Sequence, residues 1–595
     1  MGRDWPTENR LFYGMICLGV AGSTIAAAPA RPQPPAILSV VLKPVPATRG
    51  ARTIDTMTVT VRFAGRGTPP GVPLLRLPLV VSNVDTVATV AVVSARDTIG
   101  PLRLHARTID VPVQGVRDAE SGGPSREWIA DRATRGTVTV RYTVPAQATL
   151  PPRGAAPPFA LSNDGGAISG AGQVFLILPP GDTRWRTTID WDLSAMPRDT
   201  RAVSSWGAGK VVVPEAATAD RLRASYFMAG RIGRWPTDGT AKEFFAGWQG
   251  TPPFDAGRLM QWTGALYARY VSFFGKPQTS SYGVFLRYNP INAGGGVGLE
   301  RAFVTTFGRP GGDGSDPVDL QMTLAHEMFH TFQPYIAQPA GLESSWFGEG
   351  LATLYQRRLP LRFGLVTPDA FLKDLNFHAG RYYSSVMADV PNAEIAKRFW
   401  ADTRIRTLPY DRGMLYFATV DTAVRHSSRG RRSLDDIMLA MLRRERSGTL
   451  LTNADWEDQL TRELGTKAVV DFRGFLNGQM PLPPSDAFGP CFQRTSVRLR
   501  RYDLGFDTAV LAEPHRIVRG LIAGSAAARA GLRDGDHVVT PVPQDQLQGT
   551  QGRELTLSVM RAGRVLPITY LPRGAAVDTW QWRRVPGIPD SACPL

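Results

Sequence analysis

The chain has 595 residues, more than one hydrophobic core usually serves, so its length predicts three or four domains. Its formal charge is +16, but the basic residues are scattered and no basic segment alternates with aromatic residues. This pattern argues against nucleic acid as a partner and is typical of solvated faces on a globular protein.

Residues 1–28 have the pattern of a secretory signal peptide. Arg3 and Arg10 form a basic flank, Leu11–Val20 an apolar core, and Ala26-Ala27-Ala28 a small-residue cleavage site. An uncleaved N-terminal anchor is the alternative, although the apolar run is short for a membrane span. No later segment is apolar enough to cross a bilayer. The sequence therefore predicts a periplasmic or secreted protein without a stable transmembrane span.

Residues 29–200 are predicted to form an N-terminal β domain. Thr58–Phe63 and Thr137–Tyr142 alternate apolar and polar residues with the period of strands, and stretches rich in Pro and Gly separate such runs. A β-sandwich or a saddle-shaped sheet fits this pattern. Residues 201–254 are interpreted as a connecting segment.

Residues 255–480 are predicted to be mostly helical and to form the catalytic domain. Apolar residues recur with helical spacing in four long amphipathic runs, Leu259–Phe274, Val318–Phe332, Met414–Val424 and Leu434–Arg443. The second of these runs begins after Asp316-Pro317, a pair typical of a helix N-cap and first helical residue.

The second run contains the sequence His326-Glu327-Met328-Phe329-His330, an HExxH motif. Residues four apart share a face of a helix, so His326 and His330 can direct two imidazoles at one metal ion. Catalytic zinc takes three protein ligands and keeps one position open. The motif therefore predicts one Zn²⁺ per chain, with Glu327 as the general base beside it.

Two acidic residues downstream compete for the place of the third ligand. Glu349 lies in a segment predicted to form a second helix from about Ser345, whereas Glu343 follows a loop with the sequence Pro339-Ala340-Gly341-Leu342. We favour Glu349 because a helical residue is better placed to complete a site built on a neighbouring helix.

The C-terminal part is predicted to hold a smaller unit. After a Pro-rich linker at Met480–Pro484, residues 495–575 contain Ile522–Asp536 (IAGSAAARAGLRDGD), which resembles the signature of bacterial PDZ domains. Leu504-Gly505-Phe506 resembles the loop with which such domains bind a peptide C-terminus. Residues 576–595 are interpreted as a tail. Cys491 and Cys593 remain after signal removal and form an even pair, which in an exported protein indicates a disulfide.

Taken together, these patches resemble the glycyl aminopeptidase family of exported zinc peptidases, and more distantly aminopeptidase N. The resemblance rests on the HExxH stretch, on Trp346–Tyr355 (WFGEGLATLY), on Tyr410–Asp436 and on the PDZ signature. It implies a multidomain α+β protein: an N-terminal β-sandwich or saddle domain, a thermolysin-like helical catalytic domain and a C-terminal PDZ domain.

The resemblance also implies roles for residues outside the ligand set. Tyr410 would donate a hydrogen bond to the oxyanion of the tetrahedral intermediate. Gly298 and Glu300, within Gly294–Glu300 (GGGVGLE), resemble the family's substrate strand, on which Glu300 would meet the substrate's ammonium group. Arg301 stands where the family usually has His, so this chain departs from the family pattern next to the predicted amine site.

The predicted function is an exported zinc aminopeptidase that removes small N-terminal residues, Gly or Ala, from peptides. Two alternatives stay open. One is a zinc endopeptidase of the envelope, and the other is a non-catalytic protein that binds peptides through its PDZ domain. The intact Glu327 argues against the second alternative.

Overall fold

A computed structural model describes residues 36–48, 53–65, 67–82, 84–111, 123–146, 158–237, 243–277, 281–291, 293–513 and 515–594. The predicted signal peptide lies outside these residues.

In its described residues, the N-terminal region is built from strands with two very short α-helices and a 3-10 turn at Val87–Thr89. Its strands are β1 (Ala36–Pro46), β2 (Ile54–Ala64), β3 (Pro73–Pro78), β4 (Val80–Val81), β5 (Val84–Asp85), β6 (Ser94–Arg96), β7 (Pro101–Leu102), β8 (Leu104–Val111), β9 (Gly123–Ala130), β10 (Thr137–Pro145), β11 (Ser162–Asp164), β12 (Ala167–Ala171), β13 (Trp185–Trp191), β14 (Arg201–Ser204), β15 (Gly207–Ala208), β16 (Val211–Val212) and β17 (Tyr226–Gly230). The helices are α1 (Gly172–Phe175) and α2 (Ala219–Arg223).

Three sheets enclose the N-terminal core. Within the described residues their strand orders are β16-β13-β1-β2-β10-β6-β7, β3-β9-β8 and β11-β12-β17-β14-β15. The two predicted strands are confirmed as β2 and β10, which pair antiparallel with Val61 opposite Val140. Their alternate residues are buried, as the period of two requires.

The predicted connecting segment, residues 201–254, contributes described strands to three sheets. It supplies β14 to β17 and then β18 (Gly233–Trp235) and β19 (Phe244–Trp248). The latter two join β20 (Tyr282–Tyr288), β21 (Gly296–Leu299) and β22 (Ala302–Phe307) in a mixed sheet of order β18-β19-β20-β22-β21. β21 is an edge strand, antiparallel to β22. Helix α3 (Ala256–Phe274) connects β19 to β20.

The following region is helical. Its elements are α4 (Pro317–Phe329), β23 (Ile336–Gln338), α5 (Ser345–Arg362), α6 (Pro368–Tyr383), α7 (Asn392–Arg398), α8 (Thr403–Arg406), α9 (Leu408–Ser427), α10 (Leu434–Arg446), β24 (Leu451–Thr452), α11 (Asn453–Leu464) and α12 (Thr466–Leu476). Three of its helices, α4, α9 and α10, together with α3, confirm the four predicted amphipathic runs. The Asp316 carboxylate caps α4 by accepting from Val318 N–H at 2.8 Å, with Pro317 as the first helical residue. The helix ends at Phe329, earlier than the predicted Phe332.

Helices α5 and α9 pack backbone to backbone at two glycines. A Cβ atom on Gly350 would lie 2.7 Å from backbone atoms of Gly413, and one on Gly413 would lie 2.6 Å from the carbonyl oxygen of Trp346. No larger residue fits such a crossing. The contact brings Glu349 on α5 close to the first turn of α9, which carries Tyr410.

The C-terminal unit comprises β25 (Phe492–Tyr502), α13 (Ala526–Arg529), β26 (His537–Val538), α14 (Asp545–Gly549), β27 (Leu555–Arg561), β28 (Arg564–Tyr570) and β29 (Arg573–Arg584). Residues between Tyr502 and Tyr570 enclose a hydrophobic core of their own. Residues 576–584, predicted to begin a tail, belong to β29, which pairs antiparallel with β25 in a two-stranded ribbon.

The predicted disulfide is confirmed. The sulfur atoms of Cys491 and Cys593 are bonded, and the two Cα atoms lie 5.0 Å apart. The bridge closes the ribbon at the start of β25, and both cysteines are fully buried in the core of the helical region.

Across the described residues, none of the helices combines the length and apolar character needed to cross a bilayer.

Candidate metal centre and active site

The structure brings His326, His330 and Glu349 together. The Nε2 atoms of the two histidines are 3.2 Å apart, and the Glu349 Oε2 atom lies 3.1 Å from the first and 3.4 Å from the second. A tetrahedral zinc site with bonds of about 2.0–2.1 Å spaces its donor atoms about 3.3–3.4 Å apart. The three donors therefore fit a zinc ion. Among the described residues, these three are the His, Cys, Asp or Glu side chains whose ligand atoms lie within 4.8 Å of one another in a group that could hold a metal ion, and Glu343 is not part of it.

A hydrogen-bond chain fixes the tautomer of His326. Its Nδ1 atom lies 2.8 Å from the Oε1 atom of Gln356, whose Nε2 donates to the Asp374 carboxylate at 2.9 Å. An ionised carboxylate only accepts hydrogen bonds, so the Gln356 amide must turn its oxygen to the histidine. Nδ1 then carries the proton, and Nε2 presents its lone pair to the other two donors.

Gln333 occupies the corresponding position beside His330. Its Nε2 atom lies 2.7 Å from His330 Nδ1, while its buried Oε1 atom has no hydrogen-bond partner. A half-turn of the amide places that oxygen against Nδ1–H, the arrangement that metal binding through Nε2 requires.

Electrostatics favour a charged Glu349. Burial opposes its ionisation, but the adjacent His330 and His326 rings outweigh burial and hold the pKa of the carboxyl well below its usual range.

Glu327 faces the edge strand β21. Burial raises the pKa of its carboxyl, while the His326 and His330 rings and the backbone N–H of Gly298 favour its charged form. A Cβ atom on Gly298 would lie 3.6 Å from Glu327 Oε2. The backbone of the predicted substrate strand thus passes directly beside the predicted base.

Tyr410 lies in the first turn of α9, which begins at Leu408, before the predicted helical run Met414–Val424. Its ring stacks on His326, with centroids 5.7 Å apart and planes at 21°. Burial raises the pKa of the phenol well above 10, and the Glu349 and Glu327 carboxylates add to the effect. The hydroxyl therefore keeps its proton and can donate a hydrogen bond.

Glu300 lies just beyond β21 and is already paired. Arg221 Nη2 donates to its Oε1 atom at 2.6 Å, and the Glu300 side chain is 20% exposed. Arg301 adopts a positive φ of 57° and is buried, with its guanidinium 4.8 Å from the Trp206 ring and a hydrogen bond to Ser281. Arg221, which the sequence analysis did not include in the site, thus hydrogen-bonds the Glu300 carboxylate that is predicted to meet the substrate's ammonium group.

The predicted carboxylate-binding loop borders a pocket of about 290 Å³ lined by residues that include Arg500, Ser525 and Arg573. The Gly505 N–H, however, donates to the Asp503 carboxylate at 2.8 Å. The PDZ assignment and peptide binding at this loop stay predictions.

Sequence reasoning missed Gln356, Gln333 and Arg221. The first had a usable signal, because it lies seven residues after Glu349 and so on the same face of α5. Gln333 follows its partner His330 by only three residues, so the pair was also close in the sequence. Arg221 has no local signal, because it is 79 positions from Glu300 and only the tertiary fold brings the two together.

No protein-family model matches this chain, and no curated protein is similar to it in sequence. Among solved structures, the chain is similar to an aminopeptidase N family protein from Idiomarina loihiensis, with a TM-score of 0.58, 14% identity, and coverage of 92% of this chain and 96% of that one. This likeness shows a shared multidomain α+β fold.

Lower scores are found with two further structures. The M1 zinc metallopeptidase of Deinococcus radiodurans gives a TM-score of 0.45 and 15% identity over 76% of this chain and 96% of that one. Leukotriene A4 hydrolase of Saccharomyces cerevisiae gives a TM-score of 0.44 and 11% identity, with coverage of 75% of this chain and 68% of that one.

Proposed function

We propose that this protein is an exported zinc-dependent aminopeptidase. The observation that carries the proposal is the donor set of His326, His330 and Glu349, whose spacings of 3.1, 3.2 and 3.4 Å fit tetrahedral zinc. Bound there, Zn²⁺ would supply Lewis-acid polarisation of the scissile carbonyl.

The surrounding residues would transfer the proton, stabilise the oxyanion and bind the peptide backbone. Glu327 takes a proton from the attacking water and passes it to the leaving amine. Tyr410 donates to the carbonyl oxygen as negative charge develops on it. The exposed edge of β21, with Gly298 beside Glu327, offers backbone groups with which an extended peptide can pair.

Glu300 carries the aminopeptidase specificity in this proposal. It follows β21 directly, so an extended peptide on that edge would bring its ammonium group near the carboxylate. A carboxylate can accept several hydrogen bonds, and the pairing of Oε1 with Arg221 leaves Oε2 for the ammonium. Gly or Ala at the substrate's N-terminus is the preference that the resemblance implies.

The Arg221 pair also favours a second candidate, a zinc endopeptidase. Arg221 compensates the charge of Glu300, which weakens its attraction for an ammonium group. An endopeptidase would cleave blocked and free peptides alike.

The test compares a Gly-containing dipeptide amide with its N-acetylated form. We expect the purified protein to cleave the free-amine substrate, to lose activity to a chelator and to regain it with Zn²⁺. Equal cleavage of both substrates would select the endopeptidase, and an absence of chelator-sensitive hydrolysis would contradict both candidates.

Export and the role of the C-terminal unit belong to the same proposal. The Cys491–Cys593 bridge supports an oxidising compartment, periplasmic or extracellular. The thermolysin-like character of the helical domain and the PDZ character of residues 495–575 are supported by the HExxH helix and by the Ile522–Asp536 signature.

A further inference from the structure

The residue after Tyr410 is held by a buried cluster on α6. The Asp411 carboxylate, which is 1% exposed, accepts from His378 Nδ1 at 2.6 Å and from Arg381 Nε and Nη2 at 2.6 and 2.7 Å. Burial opposes its ionisation, but Arg381 and His378 outweigh burial and lower its pKa. The first turn of α9, and with it Tyr410, is therefore anchored to α6 through a charged carboxylate.

The same helix also supports the metal ligands. Asp374, one turn before His378, accepts from Gln356, the partner of His326, and its Oδ1 atom lies 3.6 Å from His378 Nε2. Asp374, His378 and Arg381 lie at helical spacings of four and three, so they share the face of α6 that meets α5 and α9.

The C-terminal unit makes hydrogen bonds to α8, the single helical turn that leads into α9. Asp545, the first residue of α14, accepts from Thr403 Oγ1 and from Arg406 Nη2, the latter at 2.7 Å. Gln548 Nε2 donates to Thr403 Oγ1 at 3.1 Å. The backbone carbonyl of Asp545 also lies 3.5 Å from Arg381 Nη1. Asp545 thus contacts both α8, which leads into the first turn of α9, and Arg381 on α6, which holds Asp411 beside Tyr410.

The unit is seated closely on the outer face of α6. A Cβ atom on Gly549 would lie 2.3 Å from the Phe377 ring. The Asn376 amide exchanges two hydrogen bonds of 2.8 Å with the backbone of Trp582 in β29. These contacts fix the position of α14 relative to α6.

We propose that Asp545 is a positioning residue for Tyr410, so that the C-terminal unit completes the active site of the peptidase. The inference rests on the proposed function. A four-residue helix does not hold its own geometry, and Thr403 and Arg406 of α8 both donate to the Asp545 carboxylate, which ties α8 to α14. Without that acceptor the corner between α8 and α9 can shift, and a displacement of about 1 Å in a catalytic group costs up to about 100-fold in rate.

The experiment uses the full-length zinc protein and a double-mutant cycle. We expect Asp545→Ala to lower kcat for the free-amine substrate by about tenfold or more while KM changes little, and Asp545→Asn, which keeps an acceptor oxygen, to restore much of the loss. In a Tyr410→Phe background the Asp545→Ala change should have little further effect, because the hydroxyl it positions is gone. Zinc content should stay at one ion per chain.

Thr508→Val is the matched control. It removes the 3.1 Å hydrogen bond from Arg404 Nη2, another contact between α8 and the C-terminal unit, but leaves Asp545 in place. Its kcat should stay within about twofold of the parent.

The outcomes distinguish failure of the positioning role of Asp545 from failure of the proposed peptidase function. Unchanged kcat in Asp545→Ala, or an equal loss with and without the Tyr410 hydroxyl, would overturn the positioning role while leaving the peptidase intact. If the parent shows no chelator-sensitive hydrolysis, the proposed function fails and the positioning role fails with it. Should Asp545→Ala not fold, Arg406→Gln, which removes the guanidinium that donates to Asp545, carries the same cycle.

Discussion

Replacement of Gln356 by Ala should weaken zinc binding without touching a ligand. The substitution removes the acceptor, 2.8 Å away, that fixes the Nδ1–H of His326. The His326 side chain is 9% exposed, so water cannot readily take the place of the amide oxygen. A buried donor left without a partner costs about 1–3 kcal/mol.

This cost translates directly into affinity. Since about 1.4 kcal/mol is a factor of ten in an equilibrium constant, the zinc dissociation constant should rise by about 5- to 150-fold. This interval brackets the loss of about 10- to 100-fold that is typical when a partner of a metal-bound histidine is removed. The assay is a competition between the protein and a chelating indicator of known affinity. Gln333→Ala is the natural comparison, because it removes the partner of His330, whose side chain is 18% exposed and more open to water.

We expect the Gln333 variant to lose less affinity than the Gln356 variant. An unchanged dissociation constant in Gln356→Ala would refute the assignment of Gln356 as the group that orients His326. A larger loss in Gln333→Ala would show that burial of the histidine does not govern the effect.

The remaining predictions concern the base, the amine site and the disulfide. Glu327→Gln keeps the size of the side chain but cannot accept a proton, so it should retain zinc and lose several orders of magnitude in kcat; near-normal turnover would rule out the role of Glu327. Glu300→Ala should lower kcat/KM for free-amine peptides by about tenfold or more and leave zinc affinity unchanged. Glu215→Ala, which removes the more distant partner of Arg221 at 3.5 Å, is the control and should have little effect on kcat/KM. Similar losses of kcat/KM in both variants would contradict the amine-binding role of Glu300. Replacing both Cys491 and Cys593 with Ser should lower the free energy of unfolding around the ribbon by about 2–4 kcal/mol. The measurement is denaturant unfolding with and without reductant. Reductant should destabilise the parent but not the double variant, and a double variant that is still sensitive to reductant would contradict this account.

Local signals in the sequence predicted the helices that carry the metal site. The apolar spacing on α4, its Asp316 cap and the later position of Glu349 on α5 all depend on residues close in the chain. The end of α4 was misplaced by three residues, because apolar residues continue past Phe329 into the turn that follows.

The strands of residues 201–254 could not be predicted in the same way. All five residues of β17 are buried, as expected for a strand covered on both faces, so the strand shows no alternation. Likewise, the pairing of Glu300 with Arg221 joins residues 79 positions apart, and only the tertiary structure brings them together.

The pairing of β25 with β29 also sets the order in which the molecule can be assembled. Phe492 is opposite Arg584 in the ribbon, so β25 cannot pair until β29 (Arg573–Arg584) has been synthesised. A nascent chain that has already produced the HExxH helix lacks α14 and the ribbon on which α6 rests. If the proposed function holds and the C-terminal unit completes the active site, newly made protein stays inactive until β29 has been synthesised, and a product truncated before α14 keeps the three candidate metal ligands without becoming an active peptidase.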